Sequence, residues 1–224
     1  MDRVHNHGMT FPSKNHSELV EHIHAVCLRM DYSLAIMGSV AKGTATRYSD
    51  LDVLLFGPTD GFNVDPIIEF GKPLMVNLTV RPPGIVIACF PLGLCVDLDI
   101  RKNATNRELE DSVVLLDRGI SRTMANVERI SVHSRYLNVN PLHGNLRLLH
   151  RAILKYLCQK TDSADELLGE LNVANAAFGI EPFPLSGSFA QDARSIYLRM
   201  SSKNSIEDGL NSEFLYLLHE SEHA

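Results

Sequence analysis

The sequence has 224 residues, of which 45% are hydrophobic and 21% charged, a composition typical of a globular protein with one or two domains. Its net charge of −6 argues against a protein that lives on long nucleic acids, because such proteins usually have a basic surface. No apolar run approaches the ~20 residues that span a bilayer, and the first ten residues lack a hydrophobic signal core. We therefore expect a cytoplasmic protein without a membrane partner.

The first predicted elements are one helix and two strands. Residues 15–30 place apolar side chains at helical spacing, and Asn15 with Glu18 resembles a capping box at the start of this helix. Residues 34–37 and 51–56 are short apolar runs that favour strands.

The segment between these strands is typical of a phosphate-binding turn. Gly38 and Ser39 break the first strand, and one helical turn to Lys42 is ended by Gly43. Such a turn presents backbone N–H groups and a hydroxyl to an anion, and Gly38 lets a phosphate approach closely. Lys42 either adds positive charge there or is a solvated surface lysine, which is the commoner case. A Walker loop is excluded, because Thr44 stands where that motif requires lysine.

The two halves of the chain have different patterns. From residue 73 to residue 101 the sequence is rich in strand-forming residues, with Pro-Pro-Gly and Leu-Gly breaks that predict antiparallel hairpins, and residues 112–117 predict a further strand. Later segments predict helices over 145–159, from a capping box at Ser163 to Phe178, and from Ser188 onward. We therefore predict an α+β domain over residues 1–120 and a helical domain over residues 121–224.

Cysteine usage gives no sign of a disulfide framework or a zinc site. Cys27, Cys89, Cys95 and Cys158 are scattered in apolar segments without a C-x-x-C pair. We interpret all four as reduced residues of the core.

Two pairs of aspartates interrupt predicted strands. Asp50 and Asp52 are two residues apart, so their side chains share one strand face with Cα atoms roughly 7 Å apart. Carboxylates that converge in this way favour a bound cation, and oxygen ligands suit Mg²⁺ or Mn²⁺. A solvated strand start is the alternative. Asp97 and Asp99 form a second such pair, and either of them is able to supply a third carboxylate for a two-metal site.

The combination of these motifs resembles a known superfamily. The stretch GSVAKGTATRYSDLDVLLF over residues 38–56, followed by the acidic strand VDLDI, resembles the DNA polymerase beta-type nucleotidyltransferases. It looks most like their small bacterial members, the minimal nucleotidyltransferases and the aminoglycoside nucleotidyltransferases. The resemblance covers roughly residues 15–120 and implies a polymerase beta-like fold, a mixed and mainly antiparallel sheet with helices, followed by a C-terminal helical domain.

The resemblance also implies a role for each residue of the motif. Gly38 and Ser39 would hold the nucleotide phosphates, with Lys42 and Ser49 beside them. Asp50 and Asp52 would bind Mg²⁺ or Mn²⁺. The third metal ligand would be Asp97, or Asp99 as the alternative.

The implied activity is transfer of a nucleoside monophosphate from an NTP, with ATP as the favoured nucleotide, to a hydroxyl group. The acidic balance favours a small-molecule or protein acceptor over nucleic acid. Two alternatives remain. Arg147, His150, Arg151 and Lys155 on one predicted helix would suit an RNA-terminal nucleotidyltransferase, and some proteins of this fold are non-catalytic antitoxins or interaction partners. A nucleotide-sugar glycosyltransferase is disfavoured by the Gly-Ser turn and the later acidic strand.

Overall fold

A computed structural model describes residues 9–57, 61–80, 82–137, 140, 142–159, 164–179 and 185–224. The chain divides into two compact units. The first contains residues 1–90 and 94–139, and the second contains residues 91–93 and 140–224. No helix within the described ranges is long and apolar enough to cross a membrane.

The first unit is built on a mixed sheet. Its strands are β1 (Ser33–Ile36), β2 (Leu51–Phe56), β3 (Phe62–Asn63), β4 (Met75–Val80), β5 (Pro83–Cys89), β6 (Cys95–Arg101), β7 (Asn103–Thr105), β8 (Val113–Leu116), β9 (Ser121–Thr123) and β10 (Val132–His133). The main sheet has the order β4-β5-β6-β2-β1-β8, in which only the β2–β6 pair is parallel. The predicted fold, with antiparallel hairpins after residue 73, is confirmed.

Four helices accompany this sheet. They are α1 (Lys14–Met30), α2 (Gly38–Ala41), α3 (Asp65–Ile68) and α4 (Asn106–Glu110). The predicted start of α1 at Asn15 is wrong, because Ser13 has the extended backbone of an N-cap and its hydroxyl accepts the N–H of His16. The sequence reading missed α4, although Thr105 and Glu108 form a complete capping box at its start.

Alternate side chains of β2 point to opposite faces of the sheet, so one face of the strand packs in the main core and the other carries Asp52. Leu51, Val53 and Leu55 belong to the main core, which also contains the buried face of α1. Leu54 and Phe56 point to the opposite face and belong to a small second core. Asp52 lies on this second face, so its carboxylate is on the side of the sheet opposite the main core.

The second unit is helical. It contains α5 (Leu142–Leu157), α6 (Ala164–Ala177), α7 (Phe189–Lys203), α8 (Asp208–Glu222) and the short 3₁₀ turn Pro91–Gly93. The buried Glu213 of α8 accepts the backbone N–H groups of Leu92 and Gly93, which explains why this turn belongs to the helical unit. The capping residue predicted at Ser163 lies outside the described residues.

The division of the chain differs from the predicted boundary at residue 120. The first unit extends to residue 139 because β9 pairs with β7, and β10 pairs with β3. Residues 121–139 are therefore not part of the helical unit.

Candidate active site

The parallel pair β2–β6 brings two of the predicted metal ligands side by side. Asp52 and Asp97 are direct partners in the register of these strands, so their side chains lie on the same face in adjacent strands. Asp50 precedes β2 by one residue. Carboxylate oxygens of Asp50, Asp52 and Asp97 all lie within 4.8 Å of one another. We call these three residues the acidic triad.

The triad fits a divalent metal ion. Asp50 is the most exposed of the three, Asp52 and Asp97 are half-buried, and three carboxylates at this separation repel one another. A hard cation that binds through oxygen, such as Mg²⁺ or Mn²⁺, removes this repulsion and matches the donor set.

Gly38 forms the wall against which Asp52 rests. Its φ is +66°, and a Cβ placed on it would lie 1.9 Å from Asp52 Oδ2 and 3.0 Å from Cγ. The backbone N–H of the preceding residue, Met37, donates to the Asp52 carbonyl at 2.9 Å. Glycine is therefore required at position 38 by both its conformation and the closeness of the carboxylate.

The other three residues predicted to bind nucleotide differ in their exposure and in their place in the loop. Ser39 follows Gly38 in α2, and Lys42 is an exposed residue that ends the helix. Ser49 is fully buried, and its hydroxyl accepts the backbone N–H of Thr46 at 2.9 Å. The Ser49 hydroxyl thus shapes the loop before Asp50.

Sequence reasoning missed one residue of this loop. His16, in the first turn of α1, is 1% exposed, and its Nε2 donates to the carbonyl oxygen of Ser49 at 2.9 Å. Burial lowers the pKa of His16, while the hydrogen bond to Ser49 and the charge of Asp50 act in the opposite direction. His16 and Ser49 are 33 positions apart in the sequence, and no local pattern links residues at that distance.

Asp99 lies on the same face of β6 as Asp97 but in a different environment. Its carboxylate accepts from Arg101 Nη2 at 2.6 Å and from Arg129 Nε and Nη2 at 2.8 and 2.9 Å. Burial raises the pKa of Asp99, but the hydrogen bonds and charges of the two guanidinium groups outweigh it and lower the pKa overall. Glu108 binds Arg101 from the other side and completes a buried ionic network.

A pair of thiols lies next to the triad in the sheet. Cys89 and Cys95 are directly opposite each other on β5 and β6, and all four cysteines of the chain are buried thiols outside any disulfide. The hydrogen bond with Cys89, burial and the nearby Asp97 and Asp50 raise the pKa of Cys95 well above its usual value. This thiol therefore remains protonated at neutral pH and is a poor nucleophile.

Comparison with known proteins agrees with this geometry. Residues 18–116 match the family model described as a nucleotidyltransferase domain, a range that contains Gly38 and the whole acidic triad. No curated protein sequence matches the chain. Among solved structures, the chain is similar to a tRNA-processing enzyme in an apo form, with 12% identity and a TM-score of 0.34.

That similarity covers 90% of this chain and 60% of the tRNA-processing enzyme, so this chain spans less than two thirds of the other one. The family match, together with the Gly-Ser turn before a D-x-D strand and a third aspartate on the neighbouring strand, confirms the resemblance inferred from the sequence. Residues 18–116 are therefore similar to a nucleotidyltransferase domain, and their motif resembles that of the DNA polymerase beta type.

Proposed function

We propose that this protein transfers a nucleoside monophosphate from a metal-bound NTP, with ATP the favoured donor, to a hydroxyl group of a small molecule or protein, and releases pyrophosphate. The observation that carries the proposal is the convergence of the Asp50, Asp52 and Asp97 carboxylates within 4.8 Å. A family match alone leaves open a chain that keeps the fold and has lost its ligands. Here all three acidic positions are filled and their oxygens point to one place.

Each residue has a distinct task in this reaction. Asp50 and Asp52 would hold the metal ion that accompanies the triphosphate, and the turn that begins with Gly38 and Ser39 would receive the phosphates. Asp97 would hold a second ion and would orient the acceptor hydroxyl for attack on the α-phosphate of the NTP. Bound Mg²⁺ or Mn²⁺ supplies charge neutralisation of the transferring phosphoryl group and lowers the pKa of the hydroxyl. The protein contributes the positioning.

The nature of the acceptor is argued from charge. A protein with a net charge of −6 attracts a cationic small molecule better than an RNA end. The basic helix that favoured RNA is also less basic in the structure than in the sequence. His150 is buried beside Glu213, and Lys155 forms ion pairs with Glu166 and Glu170. Of these four basic residues, Arg151 is exposed and the other three are half-buried or buried.

The direct test is a transfer assay. The protein is incubated with each α-labelled NTP and Mg²⁺ or Mn²⁺, against aminoglycosides, RNA and the protein itself as acceptors, and label transfer and pyrophosphate release are measured. We expect metal-dependent transfer to a small molecule or protein, and none in the presence of a chelator. Transfer to RNA alone would favour the RNA-terminal alternative. Failure to bind any NTP with metal present would favour a non-catalytic interaction protein.

Replacing the carboxylates one at a time separates chemistry from folding. Asp50→Asn, Asp52→Asn and Asp97→Asn each remove one metal-binding charge with little change in volume, and we expect transfer to fall by roughly 100-fold or more. Stability should be unchanged or slightly higher, because repulsion within the triad is relieved. Asp111→Asn is the matched control, since Asp111 is exposed at the end of α4. If the three variants unfold more easily and bind NTP as the wild type does, the triad is structural and the proposal is wrong.

A further inference from the structure

The three carboxylates of the triad are not held equally firmly by the sheet. Asp97 lies within β6 and is paired with a strand on both sides. Asp52 lies within β2, is paired with Asp97, and its carbonyl accepts the Met37 N–H on the other side. Asp50 lies before the first residue of β2, outside the paired register. Its position therefore depends on the loop that leads into the strand.

That loop is anchored from two directions. Within the loop, the Ser49 N–H donates to the Thr46 carbonyl and the Ser49 hydroxyl accepts from the Thr46 N–H. From outside, His16 Nε2 donates to the Ser49 carbonyl. This carbonyl lies in the same peptide plane as the nitrogen and Cα of Asp50. The orientation of the carbonyl therefore fixes the backbone direction at Asp50.

The ring of His16 is itself held at both nitrogens. A carbonyl oxygen only accepts, so Nε2 carries the proton, and Nδ1 of the neutral ring accepts from the Ser13 hydroxyl at 2.7 Å. Ser13 is the N-cap of α1, which ties the ring to the start of a helix packed in the main core. The neutral imidazole is thus held in one orientation and one tautomer by these two partners.

We infer that His16 is a positioning residue for the candidate metal site, and that it acts by holding the Ser49 carbonyl and thereby the direction of Asp50. The inference rests on the proposed function, since it concerns the same triad. Groups that orient a metal ligand without contacting the metal typically change metal affinity by 10–100-fold when they are removed.

The same helix offers a matched control. His22 also lies on α1, and its Nε2 donates to a backbone carbonyl, that of Pro66, at 2.8 Å. This hydrogen bond has the same chemistry as that of His16, but the chain it anchors is the start of α3 and contains no residue of the triad. Loss of the His22 bond therefore reports the stability cost of such an anchor without the effect on Asp50.

The experiment measures Mn²⁺ affinity by electron paramagnetic resonance in full-length variants, alongside thermal unfolding. We expect His16→Leu to weaken Mn²⁺ binding by ~10-fold or more, and His16→Gln, whose amide reaches as a donor to the same carbonyl, to restore most of it. His22→Leu should lower stability and leave Mn²⁺ affinity unchanged. The metal concentration for half-maximal transfer should follow the same order.

If His16→Leu does not fold, Ser13→Ala provides the comparison, because it keeps the imidazole and removes its Nδ1 partner. It should weaken Mn²⁺ binding by less than ~10-fold but measurably. Equal Mn²⁺ affinity in wild type, His16→Leu and His22→Leu, or in wild type and Ser13→Ala, would overturn the inference while the metal site stands. A wild-type protein that binds no Mn²⁺ would overturn the metal site and the inference together.

Discussion

Substitution of Gly38 by alanine tests the wall behind Asp52. An added Cβ would lie 1.9 Å from Asp52 Oδ2, so the carboxylate has to retreat by about 1 Å before the contact reaches even 3.0 Å. Because Oδ2 is the end of a side chain, this retreat is a side-chain rotation that moves the carboxylate from its present position and costs the fold little. A misplacement of ~1 Å at a reacting centre lowers the rate by roughly 100-fold, and we expect that loss of transfer in Gly38→Ala.

The control for backbone strain is Gly43, which follows α2. Its φ of +69° is nearly that of Gly38, but no atom lies within 4 Å of a Cβ built on it. Both alanine variants therefore bear a similar strain of about 1–2 kcal/mol for a left-handed residue, and only Gly38→Ala disturbs Asp52.

The assay compares the two variants for pyrophosphate release over a range of Mg²⁺ concentrations and for thermal unfolding. We expect similar melting temperatures, near-normal transfer in Gly43→Ala, and strongly reduced transfer with a higher Mg²⁺ requirement in Gly38→Ala. If Gly38→Ala is as active as Gly43→Ala, the contact between position 38 and Asp52 does not set the ligand geometry, and this reasoning is refuted.

Three further predictions concern stability. Asp99→Asn should lower the free energy of unfolding by about 3 kcal/mol in urea titrations, because it leaves Arg101 and Arg129 without their shared carboxylate. The variant should bind Mn²⁺ as the wild type does. Unchanged stability would show that this ionic network does not stabilise the fold. The depressed pKa of His16 means that its contribution is complete above the reference pKa of 6.5 and declines as the pH falls below it, so His16→Gln should flatten the acid limb of a stability–pH profile. Glu213→Gln should cost about 2 kcal/mol in thermal unfolding, because a buried carboxylate that accepts two backbone N–H groups loses half its acceptors.

Local spacing was sufficient to single out the aspartates whose carboxylates the structure brings together. The i, i+2 rule places Asp50 and Asp52 on one face. Gly38, before a short helical turn, indicated the neighbouring phosphate-binding turn. The same rule was unable to choose between Asp97 and Asp99, which share a face of β6. The difference between them comes from Arg129, which is 30 residues from Asp99 and lies in a segment that was predicted to be helical.

Long-range contacts also explain the errors in the fold. Strands β9 and β10 have three and two residues, too few for a period of two to be visible, and they exist because β7 and β3 are available as partners. The true N-cap of α1 was missed because Ser13 and Asn15 are both good caps by residue type, and only the backbone conformation distinguishes them.

The placement of aspartates at the head of a buried strand follows from the two faces of β2. Its core face, with Leu51, Val53 and Leu55 almost completely buried, fixes the strand against the interior and needs no contribution from the other side. Asp52 is thereby held next to the carboxylate of Asp97 on β6. In a mobile loop the two carboxylates would move apart. The fold tolerates the repulsion between the Asp52 and Asp97 carboxylates because burial of the opposite face of β2 stabilises the strand by more. A cation site needs such a strand, which keeps the carboxylates in place before the cation binds.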